Sequence, residues 1–223
     1  MRPFRGLAHL RGVSRLADIQ PDPALLAAAT AGDTAAQAQL YRLLAGPAHA
    51  LARRIVGDAA AAEDLLQDSL LRVFQGLGQY RAEAPFGHWV RSIVTRGGLM
   101  YLRSPWQRAR LAWRTRQEDE DGPVEDSDGI AGGELRDPGA ADIDAQVDLA
   151  RALSRLGPVP RAVVWLHDVE GLTHDEIAAG FGRTSSFSKS QLARAHAALR
   201  GWLDGHETPA CTQGRSNQLE SPT

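Results

Sequence analysis

The chain has 223 residues with a formal net charge of −2; 43% of them are hydrophobic, 23% charged and only 6% aromatic. That composition suits one medium domain or two small ones with cores built from Leu, Val and Ala, a helical inventory. Cys211 is the single cysteine, which excludes an internal disulfide or a Cys-x-x-Cys knuckle and points to a reducing, cytoplasmic setting, and no apolar run reaches the roughly 18–20 residues of a membrane span, so no membrane insertion is expected.

Residues 1–21 carry Arg2, Arg5, Arg11 and Arg15 with no acid before Asp18. They lack a continuous apolar stretch of signal-peptide length, and a basic, loosely ordered extension fits them better than an organellar targeting peptide. Residues 22–103 read as one helical module, with apolar residues at three and four spacing and breaks at Gly32, Gly46-Pro47 and Gly57. Leu66, Leu70, Val73 and Leu77 form a stripe, so Asp64, Asp68, Leu71 and Gln75 project from the opposite face. An acidic face with an exposed leucine suits docking on a partner; alternatively Glu63, Asp64 and Asp68 favour the helix's positive end and meet only water. Tyr80 to Phe86 is a predicted loop, after which Trp89, Arg91, Arg96 and Arg103 open a basic, aromatic-tipped helix. Aromatics beside arginines suit stacking on unpaired bases, unless Phe86 and Trp89 close the module's own core.

Residues 104–144 begin with Arg108, Arg110, Arg114 and Arg116 interleaved with Trp106 and Trp113, then turn strongly acidic from Glu118 to Asp144, with Arg136 the single base there. Too little apolar surface is present to offset the entropy of ordering, so a disordered acidic linker is expected. Helical periodicity returns over 145–204. Leu149, Leu153 and Leu156 make a stripe closed by Gly157-Pro158, and Pro160 suits the first turn of the next helix. Thr173-His174-Asp175-Glu176 has the form of a capping box, with Leu172 and Ile177 as its staple. Gly182 then turns the chain into a longer helix from about Ser185 to Leu203, apolar along Leu192, Ala195, Leu199 and Trp202.

Short helix, glycine turn and longer helix make a helix-turn-helix pattern. Ser186, Phe187, Ser190 and Arg194 face away from the apolar stripe, with Lys189, the only lysine of the chain, and His196 on its flank. A hydroxyl-rich, basic helix start supplies donors for phosphates and groups for base edges; a solvated helix face would look the same. Residues 205–223 form a polar tail expected to be disordered. The fold class is all-α, two small helical domains joined by an acidic linker.

Two stretches carry a resemblance. AEDLLQDSLLRVFQGLGQYRAEAPFGHWVRSIV, followed downstream by RALSRLGPVPRAVVWLHDVEGLTHDEIAAGFG, resembles the two regions of a bacterial RNA polymerase sigma factor of the sigma-70 family, extracytoplasmic-function (ECF) group. The resemblance implies a region 2 domain over 22–103 and a region 4 domain over 145–204. It implies binding to core RNA polymerase, through the β′ clamp helices and the β flap, and to promoter DNA, with an anti-sigma factor as a further partner and no cofactor. By position, Asp64, Gln67, Asp68 and Leu71 would meet polymerase. Arg81, Phe86, His88, Trp89, Arg91 and Arg96 would handle the −10 box, and Ser185, Ser186, Phe187, Lys189, Ser190, Gln191 and Arg194 the −35 box. The linker would thread the polymerase cleft, and chemistry on nucleotides would belong to the polymerase.

Three departures from the family pattern stand out. Thr95-Arg96-Gly97-Gly98 places two glycines inside a helix, each costing roughly 1 kcal/mol relative to Ala, so a bend or fray is expected there. Ser186-Phe187-Ser188-Lys189-Ser190-Gln191 replaces the usual Gly-Thr-Val-Lys-Ser-Arg, and Met100 stands where the family has aspartate. Two other functions fit parts of the chain. His167, Asp168, Glu170, His174, Asp175 and Glu176 crowd one segment as metal ligands might be crowded in an enzyme, but His167 and His174 fall on different predicted helices and lack a shared-face spacing. A helix-turn-helix regulator would bind duplex DNA without polymerase.

Overall fold

Three aspartates start the first three helices. Asp22, Asp33 and Asp58 each accept a hydrogen bond from a backbone N–H, those of Ala24, Ala36 and Ala61, at 2.8, 2.9 and 3.0 Å. Each removes one of the orphan donors of a helix start, worth about 1 kcal/mol apiece. The helices so opened are α1 (Pro23–Thr30), α2 (Thr34–Val56) and α3 (Ala59–Gly76), and α4 (Phe86–Arg103) completes the first half. The second half holds α5 (Ala140–Arg155) and α6 (Pro158–Val164), which runs on through one π-helical turn (Trp165–Val169). Beyond it lie α7 (His174–Phe181) and α8 (Ser185–Asp204). The computed structural model describes residues 16–104 and 140–204, and every regular element among them is helical. Residues 1–15, most of the expected linker with its basic-aromatic strip (105–139), and the tail from 205 lie outside the described residues.

The structure moves several expected boundaries. Gly46-Pro47 is no break: α2 runs through it for 23 residues. A proline inside a helix costs about 3 kcal/mol, and the buried side chains of Leu44, Ala48, Leu51 and Ala52 on either side offset that cost by packing. Leu16 and Ala17, expected in a loose extension, are buried in a short 3-10 turn against α4, and the Gly87 N–H donates to the Ile19 carbonyl at 3.0 Å. On α3 the inward stripe is Leu65, Ser69, Leu70 and Val73, with Leu66 half-buried at its edge. Helix α5 begins at Ala140 rather than near 145, with Asp142 and Asp144 in its first turns, where carboxylates suit the positive end of a helix.

Gly97 and Gly98 neither bend nor end α4, which is continuous over 18 residues. Their missing side chains let it approach α2 and α3: a Cβ at 98 would lie 2.7 Å from Ile55 Cγ2, and one at 97 the same distance from Leu65 Cδ1. The propensity lost at each glycine is therefore recovered as close packing.

The two halves pack on each other. Helices α2 and α4 meet α6, the π turn and α7, and one continuous apolar cluster runs from Leu40 and Ile55 through Leu99 to Trp165, Leu166 and Leu192. Arginines line the seam. Arg91 Nη1 donates to the Glu170 carbonyl at 2.7 Å, and the Arg54 guanidinium lies 4.3 Å from the centre of the Trp165 ring. Arg103 Nη1 and Arg161 Nη2 reach the carbonyls of Gly180 and Val56 at 3.4 and 3.5 Å.

Gly98→Leu should destabilise the chain by about 1–3 kcal/mol through overpacking against Ile55, despite the better helix propensity of Leu. Chemical denaturation measures it, and a stabilised variant would contradict the close-approach role.

Candidate polymerase and promoter interface

Helix α3 presents its acidic side outward. Asp64, Gln67, Asp68 and Gln75 are exposed, and Leu71, 57% exposed, stands among them, while Leu70 and Val73 turn into the core. An exposed leucine beside two carboxylates offers a partner an apolar anchor ringed by charge, the arrangement of a binding hot spot.

The loop between α3 and α4 is held by its own aromatics. Tyr80 Oη donates to the Ala84 carbonyl at 2.7 Å, and the Tyr80 ring lies 5.2 Å from Phe86, edge to face, and 5.3 Å from Trp89. A shallow cavity of about 250 Å³ opens here, lined by Gln79, Tyr80, Arg81, Glu83, Ala84 and Trp89. Ala82 at its rim takes a left-handed φ of 55°, a conformation that costs a non-glycine residue roughly 1 kcal/mol and recurs at ligand clamps. Phe86 was expected at this surface but is 1% exposed. It supports Tyr80 and Trp89 from beneath, because the apolar ring at the first position of α4 reaches Leu16 and the core. Arg81, His88 and Arg96 are exposed, and Arg81 sits 4.0 Å from Glu83 in a solvated pair worth little. Arg91 is half-buried and spent on the Glu170 carbonyl.

In the second half the capping box forms as its sequence requires. The Thr173 N–H donates to Glu176 Oε2 at 2.7 Å and the Glu176 N–H to Thr173 Oγ1 at 3.2 Å. Those backbone and side-chain bonds from Thr173 outweigh burial and hold the Glu176 carboxyl below its ordinary range. Gly182, at φ 60°, makes the left-handed turn into α8. Ser186, Lys189, Ser190 and Arg194 are exposed on α8, with Ser185 and Gln191 half-buried. Phe187 is half-buried too. Its ring packs edge to face on Phe181 at 5.5 Å, so much of it is committed to stapling the turn rather than free for a base.

His196 departs furthest from expectation. Placed on the flank of α8 by periodicity, it is 2% exposed, and its Nε2–H donates to Asp168 Oδ2 at 2.6 Å. His167 Nδ1 meets the other oxygen of Asp168 at 2.7 Å, the His167 and His174 rings stack at 4.5 Å, and His174 Nδ1 lies 3.1 Å from the Ser188 hydroxyl. This chain ties the π turn and the start of α7 to α8. No local signal could have found it, because His196 lies 28 residues from its partner. Burial pushes the Asp168 carboxyl up, but hydrogen bonds from His196 and His167, aided by their charge, hold it below its ordinary range. Burial first, then the charges of His167 and Lys189, lowers His174. At the seam, burial depresses Arg54, partly countered by Glu170, and burial then Arg53 depress Arg161. Among the described residues, no group of three or more His, Cys, Asp or Glu side chains is placed to hold a metal ion.

Residues 40–108 match the family described as Sigma-70 region 2, and residues 146–199 match that described as Sigma-70, region 4. The chain belongs to the sigma-70 family. Its relatives place it in the ECF group. It is 33% identical over 178 residues to the ECF RNA polymerase sigma factor SigM of Mycobacterium tuberculosis, covering 80% of this chain and 82% of that one. It is 32% identical over 183 residues to the ECF RNA polymerase sigma factor SigE of Mycolicibacterium smegmatis, covering 79% and 66%. Among solved structures it is similar to the sigma factor RpoE of Bartonella quintana, crystallised with the anti-sigma factor NepR, at 21% identity and a TM-score of 0.47, covering 75% and 96%. In this ECF sigma factor, the region 2 match takes in the α3 face and the aromatic loop, and the region 4 match takes in the helix-turn-helix.

His174, Asp168 and Glu176 all titrate lower in the folded chain than unfolded, so each contributes stability at neutral pH that is lost on acidification. The contribution of His174 fades as pH falls below about 6.5, and those of the carboxyls below about 4. Thermal denaturation of the sigma factor should therefore show a falling midpoint between pH 7 and 5, and His174→Gln should flatten that slope. An equal slope in the variant would remove His174 from the account.

Proposed function

We propose that this sigma factor docks on core RNA polymerase through the α3 face and reads a promoter with two separate surfaces. The observation that carries the reading is the outward placement of Asp64, Gln67, Asp68 and Leu71 on a helix whose other side is core. Tyr80 and Trp89 form an aromatic wall where an unpaired −10 base stacks, with Arg81, His88 and Arg96 for the surrounding phosphates. Ser186, Lys189, Ser190 and Arg194 on α8 meet the −35 box, with Ser185 and Gln191 at the edge of that surface. Phe187 serves this surface as a staple against Phe181. The segment around 105–139 crosses the polymerase between the two domains. Polymerase supplies the chemistry of nucleotide addition, the sigma factor needs no cofactor, and membership of the family extends the reading to an anti-sigma factor in the cytoplasm.

Two measurements test the assignments. Asp64→Ala combined with Asp68→Ala should leave helicity intact, since exposed carboxylates contribute little to stability, and reduce association with core polymerase in a quantitative pull-down; unchanged association sinks the docking face. On α8, Lys189→Ala should weaken −35 binding alike at all sequences and lower the salt slope by about 1. Phe187→Ala should instead cost about 1–2 kcal/mol of stability and leave base preference unchanged. A loss confined to one −35 position would restore Phe187 as a base reader.

A further inference from the structure

The seam between the halves carries a function of its own. Resting on the sigma reading above, we propose that region 4 is docked on region 2 as an intramolecular latch: the free chain binds core polymerase in this closed form, but must open the seam before it can engage both promoter boxes.

Three observations support it. The first is reach. Promoter boxes about two DNA turns apart are separated by roughly 70 Å, whereas α7, one tight turn from α8, touches α4, and packed helices lie only about 8–10 Å apart. The closed chain cannot lay α4 and α8 on both boxes at once. The segment over 104–144 can, since its full extension exceeds roughly 130 Å.

The second is occupancy. Arg91, aligned with the −10 reader, donates to the Glu170 carbonyl at 2.7 Å, and Arg103, at the end of the same helix, reaches the Gly180 carbonyl. Cationic groups suited to DNA phosphates are satisfied instead by region 4. The α3 face is untouched by this: Asp64, Asp68 and Leu71 remain exposed with the seam closed. Docking on polymerase and reading the promoter are thus separable.

The third is the chemistry of the seam, which suits reversal. Arg54 over Trp165 and Arg161 beside Val56 are taken largely out of water. Desolvating such cations gives back much of what their contacts gain, and polyanionic DNA offers them an alternative. Only at Leu99 is the contact tightly apolar: Leu99 is 1% exposed and packs onto Gly180, where any Cβ would collide with its Cδ1.

That contact also supplies the test. A Cβ at 180 would lie 3.6 Å from Leu99 Cβ, within the roughly 3.5–4.5 Å of a disulfide. In the full chain carrying Leu99→Cys, Gly180→Cys and Cys211→Ser, the pair should oxidise readily in the free protein. The oxidised form should still pull down core polymerase, yet support run-off transcription, on a promoter the wild type uses, at least about tenfold less than the same protein after reduction. Failure to form the disulfide, or equal transcription by the oxidised and reduced forms, overturns the latch. Failure of the wild type to bind polymerase overturns the sigma reading instead, and disulfide formation reports on closure independently of it. Should Leu99→Cys unfold the reduced chain, Gly180→Leu offers a second route, because it wedges the seam while supplying a better helix former. Its radius of gyration should rise, and it should bind a fluorescent single-stranded oligonucleotide bearing that promoter's −10 box about tenfold tighter, as expected if the wild type is open about one tenth of the time. Unchanged oligonucleotide binding would count against the latch.

Discussion

The close approach of helix α4 to its neighbours on two sides is the constraint on which the described structure depends. On one side Gly97 and Gly98 bring it against Ile55 and Leu65; on the other its own Leu99 fills the space that Gly180 leaves open. The absence of a side chain, on α4 in one case and on α7 in the other, sets how near two backbones come. Because interiors are packed like molecular crystals, a single added carbon at either place is felt along the whole helix. Helix α4 also carries Trp89 and Arg96 at the surface, so the same packing that builds the core fixes where those side chains emerge.

Local signals were legible where the chemistry was local. The Thr173 capping box, the Gly182 turn and the buried stripe Leu192, Ala195 and Leu199 stand where the sequence indicates, since caps and turns involve groups within four residues of one another. Gly46-Pro47 misled for the opposite reason. Its propensity is poor, but the flanking turns bury leucines and alanines on both sides, and tertiary packing outweighs a single broken hydrogen bond. Glycine inside α4 misled likewise, because propensity measures isolated helices and is silent on what another helix needs for access.

Candidate surface residues were legible as far as charge is concerned. The acids of α3 and the bases of α8 lie outside, as charged groups must without partners. Aromatics were ambiguous from sequence, and the structure divides them: Phe86 is core, Trp89 straddles core and surface, and Phe187 caps a turn against Phe181. A ring suited to stacking on a base is equally suited to burial, and only the neighbouring elements decide. Arg91 and His196 escaped because their partners, Glu170 and Asp168, lie 79 and 28 residues away.

The π turn has a consequence for chain length. It closes with the Glu170 N–H on the Trp165 carbonyl, five residues back rather than four, so it holds one residue more than an α-helix would use over the same rise. Deleting one residue between Trp165 and Val169 would restore regular helix at little local cost, yet it would rotate whatever follows by about 100° relative to what precedes. Asp168 could then no longer face His196, nor Glu170 face Arg91. The reading frame of the helix, rather than any side chain in it, keeps the recognition helix and the seam in phase, and a substitution scan through this turn would not expose that dependence as a one-residue deletion would.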